Sequence, residues 1–519
     1  KVNLAVKTLD FFCCYRDPDL ACRSVFCLIG SMGVGKEKDK YVFYGMKSME
    51  TKILKATVLV LVFLIITSQM IPFAGFSTRS CRYLAGKFLQ QELSLDNISK
   101  FDNIGITSPV AEEENKKRVF LPYGTAAYLF IQMGAYRGGE NTFSVVGLAS
   151  KPLHVYGMPG FECEWIPRDS TLRPVKGKAY KMLPDWGYGR IYTVVVVNCT
   201  FSQGVGNDGG GGELVLHAHH GAGGAREPER IVALTEKENA YNQTVYTAAP
   251  PFDYLYCGSS LYGDLSPQRM REWMAYHAKF FGPRSHFVFH DAGGVHSEVR
   301  KVLEPWMQAG RVTLQDITEQ EQFDGYYHNQ FLIVNDCLHR YRFMANWTFF
   351  FDVDEFLYIP GGMSVESVVH EFSNYTQFVI DQYPMSNKLC LQANDSNIYS
   401  SEWGFEKLVF RDVKKGIRRD RKYAVQARNV QATGVHMSVN FLGKKKQNTT
   451  NMIRYYHYRD TVSSREEPCK EFVNLSMKED ITWLEGTPYI YDATLEHLAS
   501  TIKQFELQQI GSRLAFTPQ

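Results

Sequence analysis

Net charge is the first thing this chain lacks. Its 519 residues set 57 Lys and Arg against 55 Asp and Glu, a balance of +2, so nucleic acid is excluded as a partner on bulk electrostatics. Helical periodicity is missing from about Val119 to Ala248. There, short β-prone runs such as Ala126 to Ile131, Thr142 to Gly147 and Arg190 to Val197 alternate with Gly and Pro turns, which excludes a helical domain and predicts an all-β sandwich. The partial nucleotide-binding pattern Gly30-Ser31-Met32-Gly33-Val34-Gly35-Lys36 lacks the Ser or Thr that would hold Mg²⁺, with Glu37 in its place. Too little chain separates it from the apolar run that starts at Ala56 for a nucleotide-binding domain. His217, His219 and His220 lie in a glycine-rich segment without acid or Cys partners at ligand spacing, and read as a solvated hairpin or loop. An initiator Met is absent at Lys1, so the chain reads as a fragment or an imperfect gene model.

What is present divides the chain. Its length suggests about two or three domains. Ala56 to Thr78 carries no charge and includes the run Val58 to Ile66, long enough to cross the ~30 Å hydrocarbon core. Lys36, Lys38, Lys40, Lys47, Lys52 and Lys55 crowd its N-terminal side, which by the positive-inside bias keeps that side cytosolic. The expected organisation is a cytosolic tail at 1–55, a single-pass signal anchor at 56–76, a stem at 77–118, the β-sandwich at 119–248 and a catalytic domain at 249–519. Sequons at Asn97, Asn198, Asn242, Asn374, Asn394, Asn448 and Asn474 follow the span and suit a luminal location. One more, at Asn346, falls where a core strand would bury it. Cys163 and Cys199 flank a β-rich stretch and are the expected disulfide.

The chemistry concentrates in Phe349-Phe350-Phe351-Asp352-Val353-Asp354-Glu355-Phe356. On a strand, residues at i and i+2 share a face, and two hard oxygen ligands at that spacing suit Mn²⁺ or Mg²⁺ with positions left open for a diphosphate. Around this pair the pattern reads β-α-β-α-β-α-β. A strand at Phe252 to Cys257 runs into a Gly258-Ser259-Ser260 turn, helices follow at Pro267 to Phe281, Val295 to Ala309 and Gln330 to Met344, and strands lie at Ser285 to Asp291 and Gly310 to Leu314. That order predicts a mostly parallel sheet of Rossmann-like kind with its ligand site at the carboxyl ends of the strands. Arg411, Lys414, Lys415, Arg418, Arg419, Arg421 and Lys422 form a basic patch that reads as solvated surface or as a holder of anionic groups.

The acidic motif, with Tyr327-His328-Asn329-Gln330, Asn335-Asp336-Cys337-Leu338, Ser401-Glu402-Trp403-Gly404-Phe405-Glu406-Lys407, Thr433-Gly434-Val435-His436-Met437 and Tyr455-Tyr456-His457-Tyr458, resembles glycosyltransferase family 92 over roughly residues 80–500. The resemblance implies a GT-A α/β catalytic domain behind a carbohydrate-binding-module-like sandwich, and a Golgi membrane location. It implies UDP-galactose as donor, the β-1,4-galactan side chains of pectin as acceptor, Mn²⁺, and inversion at the anomeric carbon. On that reading Asp352 and Asp354 hold the metal, with His436 or His457 completing the shell. Glu402 is the expected general base, with Asp395 and Glu406 behind it. Trp403 and Gly404 would meet the acceptor, and Gly258, Ser259, Ser260, Asp291, Gln330, Asp336 and Val353 the donor. A homodimer is compatible with this picture. The rival readings are an inactive membrane-anchored carbohydrate-binding protein, a transferase of another UDP-sugar, and a metal-dependent phosphoesterase.

Overall fold

The computed structural model describes residues 121–511 apart from 124–127, 151–158, 186–190, 221–226, 320–322, 324–327, 393–401, 418, 464, 467–468 and 475–480. The expected tail, span and stem, together with Asp395, lie outside the described residues. Among the described residues no helix is long and apolar enough to cross a membrane.

Eight antiparallel strands come first: β1 (Leu121–Tyr123), β2 (Phe130–Arg137), β3 (Thr142–Ser150), β4 (Gly160–Pro167), β5 (Val175–Met182), β6 (Tyr192–Thr200), β7 (Gly212–His219) and β8 (Glu229–Glu236). They pair in the order β1-β2-β3-β6-β5-β4-β7-β8. The valine run of β6 is apolar on both faces because both faces are covered. Val195, Val197 and Cys199 pack with Trp165, Leu214 and Leu216 from β4 and β7, while Val194 and Val196 pack against Phe331, Leu332 and Ile333, the strand alternation sending successive side chains to opposite cores. The expected Cys163–Cys199 bridge is formed, with its Cα atoms 5.8 Å apart. His217 and His219 sit on β7, which pairs antiparallel with β8, the hairpin of the two expected alternatives. There they face Glu164 at 2.9 Å and Glu162 at 3.6 Å, acid partners that only β4–β7 pairing could supply.

The second region starts with β9 (Phe252–Leu261), α1 (Pro267–Phe281), β10 (Ser285–Asp291), α2 (Ser297–Gln308), β11 (Val312–Asp316), α3 (Gln330–Arg340) and β12 (Ala345–Phe350). Ser266 accepts the Arg269 N–H at 3.3 Å and Pro267 takes the first turn of α1, which ends at Gly282 with φ +76°, so both ends carry local stop signals. The sheet runs β11-β10-β9-β12, then Arg421–Val425, β14 (Gln377–Pro384), Arg454–His457 and β13 (Glu355–Tyr358). It is parallel from β11 to β12 but turns antiparallel where β12 meets Arg421–Val425. The expected mostly parallel sheet is therefore mixed. Helix α3 buries Phe331, Leu332 and Ile333 against β2, β3 and β6, so the two regions share one apolar core.

Three local expectations change. Gly258-Ser259-Ser260 is not a turn, since β9 continues to Leu261; Tyr256 leans over Gly258, where a Cβ would collide with the phenol. Asp352 and Asp354 lie on no strand, because β12 stops at Phe350 and β13 starts at Glu355. Asn346, at the second position of β12, is exposed.

Candidate active site

The acids occupy the tight turn between β12 and β13, closed by the Glu355 N–H on the Asp352 carbonyl at 3.2 Å. Asp352 accepts from the Ser259 hydroxyl, from the Gln330 amide at 3.3 Å and from Lys422 Nζ at 2.6 Å. Burial opposes its charge, but Lys422, Ser259 and His457 outweigh burial and hold its pKa below the ordinary carboxylate value. Glu355 accepts the Asp352 N–H at 2.7 Å. Burial, with Asp352 and Asp354 adding to it against Lys422 and His457, pushes the Glu355 pKa up to about 8. Lys422 is 4% exposed and lies 3.5 Å from Glu355; burial disfavours its ammonium, yet Asp352 and Glu355 together raise its pKa.

His457 stands directly across the ladder from Glu355. Its Nε2 is 3.4 Å from Asp354 and 4.0 Å from Glu355, and Gln382 bonds its Nδ1. Burial would lower its pKa, but Asp354 and Glu355 prevail and lift it to about 9. One ligand atom each from Asp354, Glu355 and His457 lies within 4.8 Å of the others. Two carboxylates and an imidazole form a donor set suited to Mn²⁺ or a similar borderline-hard cation. Glu355 and His457, both drawn toward their protonated forms, also fit a place where added positive charge is stabilised. The group opens into a cavity of about 490 Å³, within the range of small-ligand pockets.

Of the expected donor residues, Ser259, Ser260, Gln330 and Val353 line this cavity. Asp291 does not; its carboxylate caps a turn by accepting from Gly293 and Val295 at 2.8 and 3.0 Å. Asp336 is fully buried on α3, bonded to the Tyr136 hydroxyl and to Arg340 at 3.3 Å, so it joins the two regions instead of meeting a ligand. Gly258 is a packing glycine under Tyr256. His436 lines the cavity, but its Nδ1 faces the Arg421 carbonyl at 3.1 Å and it stands outside the acid cluster, so geometry selects His457.

Of the expected base and acceptor residues that are described, Glu402, Trp403, Gly404 and Glu406 do not line the cavity. Burial and then Glu406 raise the Glu402 pKa, with Lys407, Glu496 and Lys503 as its other charged neighbours. Glu406 accepts the Trp403 N–H and pairs with Lys503. Trp403 is 4% exposed, with Arg271 and Lys503 against its ring at 5.8 and 5.3 Å, which leaves no face for a sugar. Gly404 is buried and donates its N–H to Glu272 at 2.9 Å.

Sequence reasoning missed Glu355, and for Lys422 it left solvated surface and a holder of anionic groups both open; the buried Lys422 on the cavity wall rules out the first. The available signal was alternation, since Tyr423 and Val425 belong to one core and Ala424 to another, which puts both faces of that strand inside. It also missed Asp420, Asp460 and Tyr262 on the cavity wall. Asp460 donates its N–H to Asp354 at 3.3 Å from a left-handed backbone with φ +61°.

Residues 252–485 match the profile of glycosyltransferase family 92. Galactan beta-1,4-galactosyltransferase GALS1 of Arabidopsis thaliana is 58% identical over 396 residues, covering 76% of this chain and 79% of that protein. GALS3, of the same description and organism, is 48% identical over 499 residues, covering 93% and 98%. GALS2 is 53% identical over 408 residues, covering 78% of each.

Proposed function

The chain belongs to glycosyltransferase family 92, and from that premise we propose that it transfers galactose from UDP-galactose onto β-1,4-galactan, with inversion, at the turn Asp352 to Glu355. The observation that carries this reading is the convergence of Asp354, Glu355 and His457 on a cavity also walled by Ser259, Gln330 and Lys422. An inactive carbohydrate-binding protein would have no need to keep this desolvated acid cluster.

Asp354, Glu355 and His457 would hold Mn²⁺, which when bound supplies Lewis-acid stabilisation of the departing diphosphate. Lys422 keeps Asp352 ionised, and Ser259 with Gln330 fixes its orientation. The buried Lys422 ammonium adds positive charge on the cavity wall for an anionic leaving group. Inversion needs a carboxylate that takes the proton from the attacking acceptor hydroxyl. Among the described residues, Asp420 and Asp460 line the cavity and stand outside the metal cluster, and these two, in place of Glu402, are the candidates for the base.

In the same reading, residues 249–519 are a GT-A domain and 119–248 a sandwich that binds galactan, raising the local concentration of polymer ends. The protein sits in the Golgi membrane by a span at 56–76 with its catalytic region luminal. The test is incubation with a panel of UDP-sugars, Mn²⁺ and galacto-oligosaccharides. Extension by one hexose from UDP-galactose alone supports the reading; preferential use of another UDP-sugar replaces the donor, and hydrolysis without transfer rejects the reaction class.

A further inference from the structure

Among the described residues, strand β13, which opens with Glu355, is the last in the order of its sheet and pairs only with Arg454–His457. Its outer edge therefore has backbone groups with no strand to meet them, and leaving such groups buried and unpaired is destabilising. Helix α1 meets them with side chains. The Trp273 indole N–H donates to the carbonyls of Asp352 and Glu355 at 3.2 and 2.9 Å. The Tyr276 hydroxyl donates to the Leu357 carbonyl at 2.7 Å. His277 accepts the Leu357 N–H at Nε2, 3.3 Å away, while its Nδ1 faces the Trp273 carbonyl at 2.9 Å. Trp273 and His277 are fully buried and Tyr276 is 3% exposed. The spacing i, i+3, i+4 puts all three on one face of α1.

We propose that Trp273, Tyr276 and His277 form a positioning clamp that sets the metal-binding turn: α1 replaces the missing strand and fixes the carbonyls on either side of Asp354, and so where Asp354 and Glu355 stand relative to His457. The rings alone would fill this core, but Phe in their places would fill it too. The polar atoms are what reach the turn, and Trp273 in particular bridges both of its ends. The three residues touch no substrate and act through the acids.

This inference rests on the reading of Asp354, Glu355 and His457 as the metal group, and the experiment separates the two. Mn²⁺ binding to the full chain without nucleotide is titrated by the electron paramagnetic resonance of free Mn²⁺, beside the melting temperature of the metal-free protein. Trp273→Phe keeps most of the ring volume and removes the N–H, and should weaken Mn²⁺ binding about 10-fold to 100-fold, as loss of outer-shell partners does elsewhere. Trp306→Phe is the control, since Trp306 is 1% exposed and its indole nitrogen has no hydrogen-bond partner; it should leave Mn²⁺ affinity unchanged. Equal affinities in the two variants, or equal losses, overturn the clamp. If Trp273→Phe does not fold, Tyr276→Phe carries the test: it removes one hydroxyl, and an Mn²⁺ affinity equal to the parent's overturns the clamp. Parent-like Mn²⁺ binding by Asp354→Ala would instead reject the metal reading itself.

Discussion

Replacing Lys422 by Met removes an ammonium while nearly keeping side-chain length and volume. In the parent, Lys422 is 4% exposed and 2.6 Å from Asp352, whose side chain is 32% exposed. Breaking a buried pair from one side costs about 3–5 kcal/mol. Water reaches part of Asp352, and Glu355, with its pKa near 8, is largely neutral at pH 7. The lower end, about 3 kcal/mol, is therefore expected in metal-free buffer. The sign with pH follows from the two pKa directions. In the parent, Asp352 is held below its ordinary value, so its contribution is present above about pH 4 and lost as pH falls further. Lys422 is held above its own, so its contribution is complete at neutral pH and lost only in strong alkali. In Lys422→Met the unpaired Asp352 is pushed up, and its penalty grows as pH rises. The stability gap between parent and variant should widen from pH 4.5 to pH 7.5. Urea unfolding at those two pH values in EDTA measures it. A loss under about 0.5 kcal/mol, as for a solvated surface lysine, or a gap that does not change with pH, would refute the buried-pair argument.

Asp354→Ala should abolish transfer while the metal-free melting temperature stays within a few degrees of the parent's; near-normal turnover with Mn²⁺ present would remove Asp354 from the site. Asp420→Asn or Asp460→Asn should lower kcat by about 10²-fold to 10⁴-fold with donor KM little changed, whereas Glu402→Gln should stay within about threefold of the parent; the reverse outcome would return the base to Glu402. Burial lowers the pKa of His277 and His339 to about 3, so the stability they allow is complete above the unfolded value of about 6.5 and is lost as pH falls below it, by about 2 kcal/mol each at pH 5. Unfolding midpoints that hold steady from pH 7 to pH 5 in the parent but fall in His339→Gln would contradict this. Residues 249–511 expressed without the strands before them should aggregate, because Phe331, Leu332 and Ile333 would lose their cover from β2, β3 and β6; a monomeric, cooperatively melting fragment by light scattering and calorimetry would refute the shared core.

What could be read from the chain was what local signals encode. Helix α1 runs between Ser266-Pro267 and Gly282, and β10 falls on the expected Ser285–Asp291, because caps and apolar periodicity act within a few residues. The acid turn stood out for the same reason, since two carboxylates among Phe residues are costly wherever they fold. Its partners were not legible. His457 reaches Asp354 through the Glu355–His457 register, and Lys422 reaches Asp352 because Arg421–Val425 lies between β12 and β14; both depend on strand order, which local sequence does not encode. Glu402 and Trp403 misled in the opposite direction. An acid beside an aromatic has the look of a sugar site, yet Trp403 is covered by Arg271 and Lys503 that come from α1 and the C-terminal helix Ala499–Ile510.

The central claim is galactosyl transfer at a metal-holding acid turn, and proton NMR of the reaction product tests it most directly. With UDP-galactose, a β-1,4-galactopentaose and Mn²⁺, the parent should add a terminal galactose with the β-anomeric coupling and a 1,4 linkage, production should stop in EDTA, and Mn²⁺ should restore it. A product of α configuration, or one formed at an undiminished rate in EDTA, would contradict the account.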